Sequence, residues 1–315
     1  MDLQFYTLDV FTSTRLEGNP LAVVRVPAGV EARLSQETKQ KIAREFNFSE
    51  TVFLHEGDGD EASQGRERRV DIFTTESEIP FAGHPTIGTA FLVRNHLRHS
   101  SVDTLVARAG PISLQSDAGG RIRAGIPHDV HLHAKTLADV LHPDDPVLSP
   151  DPVIREAVLG APVFSIVNGM AFVLAKLPSV DVLGRVSKSQ LDLSQLRDAL
   201  LDEGWRNGFM GCYYYVDVGV GAGEEERRLR TRMIELALED PATGSAASAL
   251  SAYLTLAEEK RGKKFELTQG VEMGRKSVIS VETTVKSGEN KIDSVWLGGT
   301  AVVVMNGSLR VDATS

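Results

Sequence analysis

The sequence contains a single cysteine, Cys212, among its 315 residues. One cysteine cannot form an intramolecular disulfide, and it cannot build a thiolate metal site. The N-terminus has no basic segment followed by an apolar core, and no apolar run approaches the roughly 18 residues that a membrane-spanning helix needs. We therefore expect a cytoplasmic protein with no membrane partner.

Positive charge is scarce relative to negative charge. Lysine and arginine total 34, aspartate and glutamate total 43, and the formal net charge is −9. Nucleic-acid binding requires a basic stripe, and the sequence has none, so we exclude nucleic acid as a partner. An anionic ligand must then be held by local donors, because the overall charge of the protein repels it.

Several common site motifs are missing as well. The sequence has no Gly-x-Ser-x-Gly, Walker or zinc-protease motif. The segment His128–His133 is rich in histidine, but it lies in the predicted interdomain linker and has no paired distant ligands. We therefore predict no metal site.

The chain is long enough for two domains. It has 42% hydrophobic and 24% charged residues, which are ordinary values for a globular protein. Strands punctuated by a few helices indicate an α+β class. The proline-containing stretch 128–151 interrupts the pattern, so we predict domains at 1–127 and 128–300, with the strand at about 301–315 able to join the first domain.

A short motif occurs once in each half. Residues 78–83 (EIPFAG) and 239–244 (EDPATG) share their glutamate, proline and glycine at one offset, 161 (239 − 78). Each copy precedes a stretch with the composition of a helix, at Thr86–Leu97 and Ser245–Glu258. A loop that runs into a helix directs free backbone N–H groups outward, where they can bind an anion. The repeat therefore predicts two similar domains that hold one small, negatively charged molecule.

The two glycines, Gly83 and Gly244, allow two interpretations. They can let a carboxylate approach the backbone closely, or they can be ordinary turn residues that adopt a positive φ. A turn alone does not demand the flanking glutamate and proline, so the duplication favours the binding interpretation.

The residues that differ between the copies are polar. His84 corresponds to Ser245, and Ile79 corresponds to Asp240. The differences suit two sides that bind different ends of an asymmetric ligand. His84 can take part in proton transfer or can be a hydrogen-bonded structural histidine.

Two further segments stand out in the first half. Glu50, in Asn47–Thr51, follows the helix predicted at Ser35–Phe46; it can be an exposed corner residue, or a general base if its surroundings are apolar. Asn19–Val24 also has an echo at Asn168–Val173, at an offset of 149 (168 − 19).

These motifs resemble the PhzF-like family, the phenazine-biosynthesis isomerases and their relatives. The resemblance rests on motifs in a fixed order over nearly the whole chain, namely Asp9–Phe11, Gly18–Val24, Asn47–Thr51, Pro80–Thr86, Glu239–Ala246, Gln269–Gly270 and Met273–Arg275. It implies a diaminopimelate-epimerase-like fold, in which two pseudo-symmetric α+β domains each wrap a sheet around a central helix. It also implies a homodimer, an active site in the interdomain cleft and no cofactor.

The resemblance also implies roles for single residues. Glu50 inherits the acid/base role, while His84 and Asp240 assist proton movement and hold the substrate. The substrate-binding residues are Ser245, Gly83, Gly244, Ala246 and Asn19. The epimerase relatives use cysteines at the two loops, which this sequence lacks there.

The sequence therefore predicts a cofactor-independent isomerase that moves a proton on a small amino- or hydroxy-carboxylic acid, in a biosynthetic process. Two alternatives remain open. The protein can be a non-catalytic small-anion binding or regulatory protein, or an epimerase or dehydratase on the same scaffold.

Overall fold

The structure is a computed structural model that describes residues 1–57, 65–117, 119–188, 190–221, 226–236, 238–259 and 261–311. The chain divides into two compact units. The first comprises Met1–Ile126 together with the segment from Gly298 onward, and the second comprises Pro127–Leu297. No helix within the described ranges is both long enough and apolar enough to span a membrane.

The first unit opens with strands and one outer helix. Its elements are β1 (Asp2–Val10), β2 (Asn19–Val26), a 3₁₀ turn (Glu31–Arg33), α1 (Gln36–Phe46), β3 (Thr51–His55), β4 (Glu67–Phe73), β5 (Glu78–Ile79), α2 (Gly83–Phe91) with a π-helical extension (Leu92–His96), β6 (Thr104–Ala107), β7 (Gly110–Ser116) and β8 (Ile122–Gly125).

The second unit repeats this order with more helix on its outer side. Its elements are β9 (His131–Leu132), a 3₁₀ turn (Leu137–Asp139), α3 (Pro152–Leu159), β10 (Val163–Val167), β11 (Met170–Lys176), α4 (Val180–Arg185), α5 (Leu193–Leu200), β12 (Phe209–Val220), β13 (Glu226–Glu235), β14 (Leu238–Asp240), α6 (Gly244–Leu254) with a π-helical extension (Thr255–Glu259), β15 (Lys263–Gln269), β16 (Ser277–Val285) and β17 (Ile292–Gly299). The last strand, β18 (Ala301–Arg310), belongs to the first unit.

The two units have the same strand topology. In the first, β1 pairs antiparallel with β18 and β2, β2 pairs parallel with β3, and β4 pairs antiparallel with β3 and β5 and parallel with β6. In the second, β10 pairs antiparallel with β9 and β11, β11 pairs parallel with β12, and β13 pairs antiparallel with β12 and β14 and parallel with β15.

The sheet register matches the spacing of the sequence repeat. Thr51 faces Phe73 across β3 and β4, and Cys212 faces Ile234 across β12 and β13. Both pairs are related by the offset of 161 (212 − 51 and 234 − 73). The internal duplication predicted from the motif is therefore a duplication of the fold.

A central helix lies within each unit. α2 contacts β1, β2 and β3, and α6 contacts β10, β11 and β16. Neither helix contains an Asp, Glu, Lys or Arg residue. Most of their residues are buried on all sides, as is expected for a helix without a charged face. The α+β class and the epimerase-like arrangement of a sheet around a helix are confirmed.

The central helices begin earlier than the sequence predicted. α2 begins at Gly83 and not at Thr86, and α6 begins at Gly244 and not at Ser245. Glycine and proline count against helix in a composition argument, but proline is tolerated in the first turn because its missing N–H has no intrahelical partner there. Pro85 occupies this first turn in α2.

The outer helix α1 agrees with its prediction. Ser35 is its N-cap, and the Ser35 hydroxyl oxygen accepts the Thr38 backbone N–H at 3.2 Å. Ile42 and Ala43 are buried on its inner face, in an apolar cluster that includes Phe53. Capping and one apolar stripe thus fix both the start and the orientation of α1.

Gly88 marks a close approach of α2 to the sheet. A Cβ atom at Gly88 would lie 2.6 Å from Leu21 Cδ2 and 2.7 Å from Val10 Cγ2. Gly184, in α4, is also helical, but a Cβ atom there would meet no other described atom within 4 Å. The position of Gly88 is therefore crowded, whereas the position of Gly184 has room for a side chain.

We predict that Gly88→Ala and Gly184→Ala change stability in opposite directions. Alanine is favoured over glycine in a helix by about 0.5–1 kcal/mol, so Gly184→Ala should raise the free energy of unfolding. Gly88→Ala should lower it, because overpacking a core costs about 1–3 kcal/mol. Urea denaturation of both variants measures the difference, and stabilisation by both would contradict the close packing of α2.

Candidate active site

Glu50 lies at the corner between α1 and β3. The C-cap residue of α1, Asn47, has a φ of 53°, a left-handed conformation that asparagine tolerates better than most residues. Glu50 comes three residues later and directly precedes β3. The helix end and the strand start therefore fix the backbone on both sides of Glu50.

His84 lies close to Glu50, and Asn19 lies close to His84. His84, the second residue of α2, has its Nε2 atom 3.7 Å from Glu50 Oε2. Asn19, the first residue of β2, has its Nδ2 atom 3.5 Å from His84 Nδ1, and both side chains are buried. With the Asn19 amide as donor, His84 Nδ1 is an acceptor, and the proton of a neutral His84 lies on Nε2, which faces Glu50.

The Glu50 carboxylate lies in an environment that disfavours its charge. Its side chain is 18% exposed, and its Oε2 atom is buried with no hydrogen-bond partner among the described residues. Burial raises the pKa of Glu50 above its ordinary value of 4.5, and a hydrogen bond from the Ser49 side chain only partly opposes this shift. Glu50 can therefore exchange a proton closer to neutral pH than an exposed glutamate can.

The second unit brings another group of predicted residues together. β14 ends at Asp240, Thr243 is the N-cap of α6, and Gly244 is the first helical residue. The Thr243 hydroxyl donates to Asp240 Oδ2 at 2.6 Å. The backbone N–H groups of Gly244, Ser245 and Ala246 have no acceptor within the helix, which makes this terminus suited to an anion.

The conformation of the two glycines bears on their interpretation as turn residues. Gly83 and Gly244 are each the first residue of an α-helix, where φ is negative. A positive φ is therefore not the reason for glycine at these positions. In α2, Pro85 removes one first-turn N–H, so this terminus offers fewer backbone donors than that of α6.

The predicted residues therefore form two groups. The first unit holds Glu50, His84, Asn19 and Gly83, and the second holds Asp240, Gly244, Ser245 and Ala246. The chemical roles that the resemblance implies for these residues stay predictions.

The glutamates of the repeated motif have structural partners. Glu239 forms a two-pronged ion pair with Arg232, with distances of 2.7 Å and 2.8 Å, and Arg232 also donates to the carbonyl oxygens of Leu183 and Val186. Glu78 accepts a hydrogen bond from Gln36 at 3.0 Å. These contacts anchor the loops before the central helices.

The second sequence echo was misplaced by two residues. β2 pairs Ala22 with Thr51, and β11 pairs Val173 with Cys212, so the structural offset here is 151 (173 − 22) and not 149. A shift of two residues keeps the alternation of side chains across a strand, so the sequence pattern could not reveal the error.

Cys212 cannot take part in acid/base chemistry near neutral pH. It is buried in β12, and burial raises its pKa to about 12. The thiolate fraction of such a group is negligible at neutral pH.

One cluster in the described part of the chain has the donors of a metal centre. The ligand atoms of His131, His133 and Asp202 lie within 4.8 Å of one another. Asp202 is a distant ligand that the sequence analysis did not identify. It is about 70 residues from the two histidines in the sequence, and only the folding of the chain brings it close to them. The reason given for rejecting the cluster was therefore wrong.

Hydrogen bonds already use the nitrogens of this cluster. His131 Nε2 lies 2.8 Å from Asp202 Oδ2, and His133 Nδ1 accepts the Asp202 backbone N–H at 3.1 Å. The other His133 nitrogen, Nε2, lies 2.9 Å from Ser165 Oγ. Both nitrogens of His133 are occupied by hydrogen bonds, so they are not open to a metal ion. The cluster is better described as a set of hydrogen bonds that connects β9 to the segment after α5.

Comparisons with known proteins agree with these features. A sequence profile described as phenazine biosynthesis-like protein matches residues 8–129 and 211–307. An uncharacterized isomerase of Mesorhizobium japonicum is 32% identical over 96% of this chain and 97% of that protein. The trans-2,3-dihydro-3-hydroxyanthranilate isomerase of Pseudomonas fluorescens is 29% identical over 97% of this chain and 98% of that protein.

A solved structure extends the similarity to three dimensions. The structure of a predicted epimerase from Pseudomonas aeruginosa has a TM-score of 0.71 and 28% identity, and covers 98% of this chain and 100% of that chain. The residues matched by the sequence profile include every predicted site residue. The chain belongs to the phenazine biosynthesis-like protein family and is an isomerase.

Proposed function

We propose that the protein is a cofactor-independent isomerase that moves a proton between two carbon atoms of a small amino- or hydroxy-carboxylic acid. The observation that carries this proposal is the Glu50 carboxylate, whose buried Oε2 atom has no hydrogen-bond partner in the described chain and lies 3.7 Å from His84 Nε2. A buried polar atom without a partner is costly in a folded protein, and such costs are commonly retained for function.

Glu50 is the proton-transferring group in this proposal. The ionised carboxylate removes a proton from one carbon, and the resulting carboxylic acid returns it to another carbon on the same face of the substrate. No external acid is needed, because the proton that leaves and the proton that is added are carried by the same group. His84 Nε2–H is close enough to support the charge of Glu50 as it changes.

The second unit supplies the contacts for the charge of the substrate. The first-turn N–H groups of α6 bind the anionic end of the substrate, and the Ser245 hydroxyl adds a donor. Asp240 orients a polar substituent. We propose that both groups of residues act on one substrate molecule, which the two units enclose so that water is excluded while the proton moves.

The names of the relatives suggest the first substrate to assay. Two described relatives are named as isomerases, and one of them carries trans-2,3-dihydro-3-hydroxyanthranilate in its name. This compound is a small unsaturated carboxylic acid with amino and hydroxyl groups, which matches the substrate class proposed here. We therefore use it as the probe.

An epimerase is the second candidate, supported by the similarity to the predicted epimerase. An epimerase returns the proton to the same carbon on the opposite face, which normally requires a second acid/base group. Product analysis separates the candidates, because isomerisation moves the double bond whereas epimerisation inverts one stereocentre. A homodimer, a cytoplasmic location and independence from cofactors stay predictions.

We predict that Glu50→Gln abolishes carbon-bound hydrogen exchange. General acid/base groups contribute about 10²- to 10⁴-fold to a rate, and glutamine cannot accept or return the proton. Deuterium incorporation into the probe in D₂O, followed by NMR, should fall by this factor. The matched control is Glu45→Gln on the exposed side of α1, which should exchange at the wild-type rate.

Three outcomes of this assay would argue against the proposal. Exchange that continues at the wild-type rate in Glu50→Gln removes Glu50 from the mechanism. Binding of the probe in the wild-type protein with neither exchange nor formation of the isomer supports the non-catalytic alternative. Loss of water from the probe supports a dehydratase.

We predict a pH-dependent stability difference between Glu50→Gln and the wild type. Because burial raises the pKa of Glu50 in the folded state, the protonated form is favoured, and the stability from this group is lost as pH rises through the raised pKa. The difference in the free energy of unfolding should therefore shift in favour of Glu50→Gln as pH rises from the ordinary pKa of 4.5 to the raised pKa, and it should level off above the raised pKa. Urea denaturation from pH 4 to pH 8 measures it, and a difference that is constant with pH would contradict a desolvated Glu50.

A further inference from the structure

Gln269 lies at the centre of a buried hydrogen-bond network beside Asp240. It is the last residue of β15 and is fully buried. Its Nε2 atom donates to the Asp240 carbonyl oxygen at 2.8 Å and to Thr243 Oγ1 at 3.0 Å. Its Oε1 atom accepts from the Tyr213 hydroxyl at 2.9 Å and from the Thr243 backbone N–H at 3.3 Å. All four hydrogen-bonding positions of the amide are therefore used.

The partners fix the direction of every bond in the network. Rotating the Gln269 amide by 180° would set its oxygen against the Asp240 carbonyl oxygen, which also only accepts, so the orientation is unique. Because Thr243 Oγ1 accepts from Gln269, its own proton is available for Asp240 Oδ2, which lies 2.6 Å away. The network thus ends on one oxygen of the Asp240 carboxylate.

The first unit provides an internal control for this network. Thr231 also belongs to the network, because its hydroxyl oxygen lies 3.0 Å from the Tyr213 hydroxyl. The offset of 161 relates Thr231, Tyr213, Thr243 and Asp240 to Val70, Val52, Ala82 and Ile79. In the parallel pairing of β4 with β6, Arg69 faces Val106, so the next position on β4, Val70, corresponds to Ala107 on β6. In the second unit Thr231, the counterpart of Val70, faces Gln269, so Gln269 corresponds to Ala107. All five counterparts are apolar, so the shared fold can be built without these polar groups.

Buried polar networks also carry an energetic risk. Each buried group in the network must find its partner, since an unsatisfied one costs about 1–3 kcal/mol. An apolar set fills the same places in the first unit without this risk. The fold alone therefore does not explain why these residues are polar in the second unit. Their hydrogen bonds connect to the Asp240 carboxylate, which suggests that they serve Asp240.

We propose that Gln269 and Thr243 are positioning residues that hold Asp240 in one orientation for substrate. Gln269 holds the backbone of Asp240, and Thr243 holds its carboxylate. The proposal rests on the proposed function, because it takes Asp240 as a substrate contact. Neither Gln269 nor Thr243 contacts the reacting atoms in this account.

The next residue in the chain keeps the loop close. Gly270 has a φ of +74°, and a Cβ atom there would lie 2.6 Å from the Pro241 carbonyl oxygen. A side chain at this position would push away the loop that carries Asp240. Gln269 and Gly270 therefore act on the same loop, by hydrogen bonding and by close approach.

The first test replaces the Thr243 hydroxyl. Thr243→Val keeps the shape of the side chain and removes its hydrogen bonds, and it should lower kcat/KM for deuterium incorporation into the probe by about 10- to 100-fold, as is typical of a misplaced site group. Thr243→Ser restores the hydroxyl and should restore most of the rate. Crystal structures should show Asp240 in more than one rotamer in Thr243→Val and in one rotamer in Thr243→Ser.

A matched control removes a buried hydrogen bond elsewhere in the second unit. Ser165→Ala deletes the partner of His133 Nε2, which lies 2.9 Å from the serine hydroxyl. It should lower the free energy of unfolding, as Thr243→Val does, but leave kcat/KM unchanged. An equal loss of kcat/KM in both variants would mean that Thr243 acts only through stability, which overturns the proposal.

The second test uses Gln269→Glu. A glutamate can still accept from Tyr213, but it can donate to the Asp240 carbonyl oxygen only when it is protonated. The rate of this variant relative to the wild type should therefore fall as pH rises. A ratio that does not change with pH would overturn the role of Gln269.

The failure of this proposal can be told apart from the failure of the proposed function. If Glu50→Gln loses exchange but Thr243→Val keeps it, the positioning role is overturned and the function stands. If Glu50→Gln keeps exchange, or the wild type does not act on the probe, the function fails for that probe. The Asp240 rotamers in the crystal structures then decide the positioning role by themselves, and a single unchanged rotamer in Thr243→Val overturns it.

Discussion

The burial of an uncharged helix is the constraint on which each unit depends. α2 and α6 have no charged face to present to water, so each is stable only where strands contact it on several sides. The sheet can cover the length of such a helix but cannot pair the N–H groups of its first turn. The polar residues of the candidate site lie near this end of the central helix in both units.

The two units keep one backbone plan but use different chemistry at matched positions. Arg232 in β13 pairs with Glu239, whereas the matched residue in β4, Asp71, pairs with Lys39 of α1 at 2.5 Å. The charge at this position is reversed, so an outer helix carrying Lys39 would meet a like charge if it packed on the strand of Arg232. The reversed charge therefore disfavours exchange of the partners between the two units.

The sequence predicted much of the fold because the informative residues repeat. Two copies of one loop, each followed by an apolar helix, were enough to indicate the duplication, and the N-cap Ser35 placed α1. Contacts between distant segments could not be predicted. Asp202 lies beside His131 although it belongs to the segment after α5, and Gln269 lies beside Asp240 because β14 and β15 both pair with β13. Gln269 was visible as part of a motif, but no local pattern distinguishes a positioning amide from a strand residue. The buried state of Glu50 also depends on packing, which composition does not encode.

The pairing of β1 with β18 affects how the protein is made. β1 begins at Asp2, and its neighbour β18 begins at Ala301, so one side of β1 stays unpaired until about 300 further residues have been synthesised. The second unit has no such delay, because β9 is synthesised before the strand that it joins. Its folding can be complete while the N-terminal half still exposes a strand edge to chaperones or to neighbouring nascent chains. The synthesis of the first unit therefore begins before that of the second, but the sheet of the second unit can be completed first.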